Sequence, residues 1–104
     1  MDKFSIKRGD TSPAIRFALS PATNDIAGST VQFQMRSRSG VLIVDQPASI
    51  VTGLPPVVQY AWEALDTDVA GLFDAEFRVT YADGAIETFP NTSFIPVRIM
   101  EDVR

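Results

Sequence analysis

The chain has 104 residues, of which 45% are hydrophobic, and it carries a formal net charge of −4 at pH 7. This length predicts a single domain, residues 1–104, with enough apolar residues for one core. The acidic balance disfavours a broad phosphate-binding surface, so we expect no nucleic-acid partner. Cysteine and histidine are both absent, and with them the disulfides, the thiolate and imidazole metal ligands and the commonest general base. We therefore expect neither a catalytic residue nor a metal site nor a cofactor.

The N-terminal residues 1–8 lack the long apolar segment of a signal peptide. No stretch of the chain approaches the roughly 18 apolar residues of a membrane span. The sequence therefore predicts a protein that is made inside the cell and has no membrane partner.

Short apolar segments in the first half of the chain predict five strands. Residues 4–6, 15–19 and 31–35 place apolar side chains at every second position, which is typical of half-solvated strands. Residues 41–44 form a continuous apolar run, which predicts a strand that is covered on both faces. Residues 49–52 predict a separate fifth strand.

The second half of the chain continues the pattern of strands. Residues 58–62 present three apolar side chains in alternation, and residues 66–70 predict a single helical turn that a glycine ends. Residues 73–81 alternate apolar and polar side chains over a long strand, and Asp83-Gly84 predicts a tight hairpin turn. The last two predicted strands are residues 86–89 and 95–99.

About eight or nine short strands, with turn signals about every ten residues, define the predicted fold class. The sequence predicts an all-β fold, an antiparallel β-sandwich with immunoglobulin-like topology. The side chains on the inward faces predict the core, which consists of Phe17, Phe33, Tyr60, Trp62, Phe73, Phe77, Val79, Val97 and Ile99.

Acidic side chains are the candidates for chemistry in the second half of the chain. Asp66, Asp68 and Asp74 could supply oxygen ligands to Ca²⁺, but their spacing differs from that of a calcium-binding loop, and capping of a turn explains the first two. Asp74 and Glu76 could form a catalytic carboxylate pair, but they share the solvated face of one strand. The serine and threonine hydroxyls have no base to activate them. We therefore expect that the chain is not an enzyme.

Four aromatic residues leave an alternative open, that of a carbohydrate-binding module on a β-sandwich. Such a module needs exposed rings beside polar groups, and the candidates are Tyr60, Trp62, Tyr81 and Phe94. A single tryptophan on a strand face more often packs in the core of a sandwich, and we expect this for Trp62. The exposure of its indole separates the two interpretations.

Three stretches of the sequence carry a family resemblance. They are Phe4-x-Ile6-Lys7-x-Gly9-Asp10-Thr11-x-Pro13, the block from Tyr60-x-Trp62 through Asp66-Thr67-x-x-x-Gly71-x-Phe73-x-Ala75-Glu76-Phe77-x-Val79-Thr80-Tyr81-x-Asp83-Gly84, and Thr88-Phe89-Pro90-Asn91. Together they resemble small bacteriophage virion proteins, and more specifically the N-terminal domain of the phage upper baseplate protein. In that family the domain is a β-sandwich that tethers host-recognition parts to the tail.

The resemblance implies a structural protein of a virion, synthesised in the bacterial cytoplasm, that serves as an attachment or adaptor module in the tail or baseplate. Its implied partners are other phage structural proteins, with several copies in a symmetric assembly. The predicted interface is the N-terminal strand, because sheet edges can recruit another chain. Phe4 and Ile6 would supply apolar burial there, and Lys7 and Arg8 would orient the contact. Adhesion to a host surface is the functional alternative.

Overall fold

The structure is a computed structural model, and it describes residues 3–19 and 25–103. Within these ranges the chain forms strands joined by turns and loops, with no helix, and so no helix that could cross a membrane. The eight strands are β1 (Phe4–Lys7), β2 (Ile15–Ala18), β3 (Thr30–Ser37), β4 (Leu42–Thr52), β5 (Val57–Tyr60), β6 (Gly71–Thr80), β7 (Ile86–Phe89) and β8 (Ile95–Met100).

The strands form two sheets that share β4. The larger sheet has the order β1-β8-β6-β3-β4, with β7 also paired to β6, and the smaller sheet has the order β4-β5-β2. The first part of β4 pairs with β3, whereas the part that begins at Ser49 pairs with β5. Neighbouring strands are antiparallel except β1 and β8, which run parallel in a register that places Phe4 opposite Val97. The predicted β-sandwich is therefore confirmed.

The core lies between the two sheets and is rich in aromatic rings. Phe33 on β3 is its centre, because its ring stacks on Tyr60 at 4.6 Å and meets Trp62 edge-on at 5.5 Å between ring centroids. Phe77 packs on the same ring at 5.0 Å. The indole nitrogen of Trp62 has no hydrogen-bond partner within residues 3–19 and 25–103. Aromatic pairs in these tilted and stacked arrangements add to the stability that burial of their area provides.

The predicted core agrees closely with the observed one. Eight of the nine predicted residues are buried, and Phe17 is the exception, being half-buried. Its ring still packs against the core, since it stacks on Phe77 at 6.1 Å between ring centroids. The alternation along β6 shows why the prediction succeeds: each buried residue from Phe73 to Val79 is followed or preceded by one that reaches solvent.

The prediction for the fourth and fifth strands was wrong in two respects. Residues 42–52 form one continuous strand through Pro47 rather than two strands. This proline lies where β4 pairs with β3 on one side, and no strand of the described chain pairs with the other side, which is the edge position where strands tolerate proline. Val41, Leu42 and Ile43 are exposed rather than covered on both faces.

Two predicted turns have different outcomes. Asp83-Gly84 forms the predicted hairpin turn, with the Gly84 amide donating to the Tyr81 carbonyl at 2.9 Å and a glycine φ of 90°, which few other residues adopt. The helical turn predicted at residues 66–70 is absent. The chain instead turns at residues 64–67, which begins two residues earlier, and then runs on irregularly into β6.

Candidate functional site

The residues predicted as an interface lie on β1, which is an edge strand of the larger sheet. Ile6 is buried in the core, and Phe4 is half-buried with its ring centroid 5.7 Å from that of Trp62. Lys7 is exposed, whereas the Arg8 guanidinium donates to the Asp102 carboxylate at 2.9 Å. The two apolar side chains therefore pack inside the domain. The hypothesis that this edge binds a neighbour stays a prediction.

The carbohydrate platform proposed for the four aromatic residues is not present. Tyr60 and Trp62 are buried between the sheets, and Tyr81 is half-buried with its hydroxyl bonded to Glu87 at 2.8 Å. Phe94 alone is exposed, and its ring lies 4.7 Å below the guanidinium carbon of Arg36. One aromatic ring already covered by an arginine does not form a sugar-stacking surface.

The acidic residues that were considered for calcium or catalysis are separated and engaged. Asp66 accepts hydrogen bonds within its own loop, and Asp74 forms an ion pair with Arg38 at 3.0 Å on the outer face of the larger sheet. Among the described residues, no group of three or more acidic, histidine or cysteine side chains is placed to hold a metal ion. Glu76 follows Asp74 on the same solvated strand face.

Four exposed aliphatic side chains meet at one end of the sandwich, and we call them the end surface: Ile43, Leu65, Val69 and Leu72. They line a single concavity of about 270 Å³. Their exposed fractions are 42%, 77%, 67% and 52% in that order. Singly exposed aliphatic residues are ordinary on protein surfaces, but a group that lines one concavity is a candidate interaction site.

The topology explains why residues so far apart in sequence meet at this end. β3 and β6 pair so that Ser37 lies opposite Phe73, which brings the turn between β3 and β4 beside the start of β6. The loop of residues 61–70 crosses from β5 in the smaller sheet to β6 in the larger one at the same end. Gly71, with a φ of 153°, begins β6 at the floor of the concavity.

A β-bulge directs Ile43 toward this surface. Met35 pairs with Val44 and Arg36 pairs with Leu42, so Ile43 is an extra residue without a partner on β3. Such a residue bends its strand and changes the direction of its side chain. The bulge lies at the open side of β4, where bulges also discourage uncontrolled pairing between sheet edges.

The loop that carries Leu65 and Val69 is held firmly at the two residues after Leu65. The Asp66 carboxylate accepts hydrogen bonds from the Tyr60 hydroxyl at 2.6 Å and from the Glu63 amide at 2.8 Å. Burial and the hydrogen bond to this carboxylate together raise the pKa of the Tyr60 hydroxyl above its ordinary value. The loop is thereby fixed to a ring that belongs to the core.

Thr67 supplies the second anchor of the loop and is fully buried. Its hydroxyl donates to the Asp10 carbonyl at 2.8 Å, and its own carbonyl accepts from the Gly9 amide at 3.0 Å. The chain between Leu65 and Val69 therefore faces inward at its anchors and outward at its aliphatic residues. Sequence reasoning assigned Asp66 and Asp68 to capping and missed the end surface, because loop residues have no period that separates inward from outward positions.

Comparisons with known proteins give one structural relative. No protein-family model and no curated protein matches the chain. The fold is similar to that of CopC from Methylosinus trichosporium OB3b, with a TM-score of 0.59 and 15% sequence identity over 98% of this chain and 87% of that one. At this identity the likeness shows the fold, a β-sandwich, and nothing more specific.

The comparisons contradict the resemblance to phage proteins. The structural relative is CopC and not a phage baseplate protein, and no compared protein connects the chain with a virion. The prediction of a tail or baseplate component, located in the virion, was therefore wrong. The stretches that suggested it are mainly turn glycines and alternating strand residues, which many β-sandwiches need for the same physical reasons.

Proposed function

We propose that this chain is a non-enzymatic β-sandwich module that binds another protein through the end surface. The observation that carries the proposal is the meeting of four exposed aliphatic side chains around one concavity. Burial of apolar surface is the main favourable term in protein association, and contiguous apolar patches on soluble domains mark such contacts. Leu65 and Val69 stand at the most exposed positions of this surface.

The anchors of the loop support the proposal because they make the surface pre-organised. Asp66 and Thr67 are bonded to three other parts of the chain, so the loop cannot readily turn its aliphatic side chains inward. A binding surface that is ordered before contact loses less conformational entropy when a partner arrives. Apolar side chains that are held in an exposed position do not stabilise the isolated domain. A partner that buried them would gain the free energy of removing their surface from water.

The shape and chemistry of the concavity favour a protein over other ligands. Its volume of about 270 Å³ is below the usual span for small-molecule sites, about 300 to 1,000 Å³. Its lining is mainly aliphatic, and the one aromatic residue in it, Phe73, is buried and offers no platform for sugar stacking. The net charge of −4 also disfavours nucleic acid as a partner. A concavity of this size fits one or two apolar side chains from another protein.

A site-specific photocrosslinker tests the proposal. We would place a benzophenone amino acid at Leu65 and, as a control, at Ile86, which is similarly exposed but lies at the start of β7. We expect a discrete crosslinked protein from the source cell at the first position and none at the second. The crosslinked protein would then be identified, purified and titrated against this chain.

The titration decides whether the contact is specific. A variant that carries Leu65→Ser and Val69→Ser should lose at least about tenfold in affinity, since each substitution removes an apolar contact from the interface. An Ile86→Ser variant should bind as the unchanged chain does. Equal binding by all three proteins would contradict the proposal, and so would crosslinking of the same protein from both positions.

A further inference from the structure

All four residues of the end surface come from a segment of one charge sign. Residues 39–77 contain no lysine or arginine, and their acidic residues are Asp45, Glu63, Asp66, Asp68, Asp74 and Glu76. We infer that the end surface binds a segment of another protein in which apolar anchor residues are flanked by lysine or arginine. This inference rests on the proposed function and adds the chemistry of the partner to it.

Two carboxylates on the loop are available to such a partner. Glu63 and Asp68 are exposed, and they flank Leu65 and Val69 along the chain. Neither carboxylate takes part in the hydrogen bonds that anchor the loop, because those use the Glu63 amide, the Asp66 carboxylate and the Thr67 hydroxyl. Both negative charges therefore flank the aliphatic residues of the loop, and the Arg8 guanidinium lies close enough to Asp68 to interact with its charge.

The nearby cations offset this charge only in part, because two of them are paired with other carboxylates. Arg38, at the turn between β3 and β4, is paired with Asp74 at 3.0 Å, and Arg8 is paired with Asp102 at 2.9 Å. Lys3 and Arg98 line a neighbouring groove that shares Leu72 and the end of the loop with the concavity. Complementary charge around an apolar contact gives specificity and speeds association, so a basic flank is expected on the loop side of the partner segment.

A second copy of this chain fits the surface less well than a basic segment does. Two copies that meet through their end surfaces would bring Glu63 and Asp68 of both loops together, and like charges placed across an interface oppose association. The net charge of −4 adds a general repulsion between copies. The occupant that we infer is therefore a different chain.

Selection from a display library of random dodecapeptides tests the inference. We would immobilise the full chain, select binders at low salt, and keep those peptides that fail to bind the Leu65→Ser, Val69→Ser variant. We expect the retained peptides to share a leucine, isoleucine, methionine or phenylalanine with lysine or arginine within a few positions on either side. Their affinity should also fall as salt screens the charges.

A charge-reversal pair then measures the contribution of the loop. A variant with Glu63→Lys and Asp68→Lys should lose about tenfold or more in affinity for a synthetic retained peptide. The matched control is Glu76→Lys, which changes a carboxylate further along β6 that has no place around the concavity. The control should stay within about twofold of the unchanged chain, because its charge is distant and screened.

The outcomes separate the two proposals. If the retained peptides lack basic residues, or if charge reversal leaves their affinity unchanged, the inferred chemistry is wrong while protein binding through the end surface stands. A dimer in sedimentation that the Leu65→Ser, Val69→Ser variant abolishes would also overturn the inference, since the occupant would be a second copy. If no selected peptide depends on Leu65 and Val69, the proposed function fails and the inference fails with it.

Discussion

Two groups of apolar side chains in this domain have opposite surroundings. Phe33, Tyr60 and Phe77 are enclosed between the sheets, where rings stack on one another at 4.6 to 5.0 Å between centroids. Leu65 and Val69 stand on a loop that the fold holds firmly, yet most of their surface is exposed. The first group accounts for the stability of the fold, whereas the second contributes little to it. Two exposed apolar side chains that line one concavity and are held in place there are what the proposed contact with a partner requires.

The largest expected effect comes from the enclosed group. Phe77→Ala removes a ring that packs against Phe33 and Phe17, so it should destabilise the domain by about 3 to 5 kcal/mol. Chemical denaturation monitored by the fluorescence of the single tryptophan gives the free energy of unfolding. A loss below about 1 kcal/mol would show that the inward face of β6 has been misassigned.

A smaller effect is expected at the anchor of the loop. Thr67→Val keeps the shape of a fully buried side chain but removes the hydrogen bond to the Asp10 carbonyl. The loss should be about 1 kcal/mol, which is typical of one intramolecular hydrogen bond. The control is Thr11→Val, at an exposed residue next to Asp10 in the connection between β1 and β2, which should change the free energy of unfolding by less than about 0.5 kcal/mol. Equal effects of the two substitutions would show that the anchor does not hold the loop.

Ionisation of the two tyrosines reports on the link between the core and the loop. The Tyr60 hydroxyl joins a core ring to Asp66, and burial with the bond to Glu87 raises the pKa of Tyr81 to about 12. A raised pKa means that the folded state favours the protonated hydroxyl. The stability that the two protonated hydroxyls contribute is therefore complete below a pH of about 10, the pKa of tyrosine in the unfolded chain, and is lost as the pH rises through their pKa in the folded state.

Absorbance of the phenolate during an alkaline titration measures this shift. At a pH of about 10.5 the folded protein should show little phenolate, whereas the protein in denaturant should show most of it. A Tyr81→Phe variant leaves Tyr60 as the only tyrosine, and its remaining phenolate should also form above the ordinary pKa. Half-ionisation of both tyrosines at about pH 10 in the folded state would contradict the two hydrogen bonds.

The sequence predicted the enclosed group because a strand alternates its faces. The pattern from Phe73 to Val79 fixes which side chains face inward, and Asp83-Gly84 fixes the following turn. The same reasoning failed at Pro47, since a proline interrupts a strand only where its N–H would be needed in the ladder. The apolar run of residues 41–44 predicted a strand that is buried on both faces. Ile43 is exposed instead, because it is the extra residue of a bulge and the side of β4 away from β3 is unpaired there.

The end surface could not be predicted from the sequence for a different physical reason. Its members come from a bulge, a loop and the start of a strand, and only the pairing of β3 with β6 brings them together. The anchor at Thr67 depends on a carbonyl 57 residues away in the chain. The residues of the phage-like stretches specify turns and inward faces, so they describe the fold and carry no information about a partner.

The smallest expected effect on stability is the one that best separates the two groups. Leu65→Ser and Val69→Ser, together in one variant, should change the free energy of unfolding by less than about 0.5 kcal/mol, because surface substitutions away from anchors rarely do more. Thermal and chemical denaturation of this variant and of Phe77→Ala, under the same conditions, give the comparison. If the serine variant lost stability on the scale of Phe77→Ala, the two side chains would belong to the core and no surface would remain to bind a partner. A stable variant with the unchanged tryptophan emission would instead show that the core does not depend on these two side chains, which leaves them available for a contact beyond the domain.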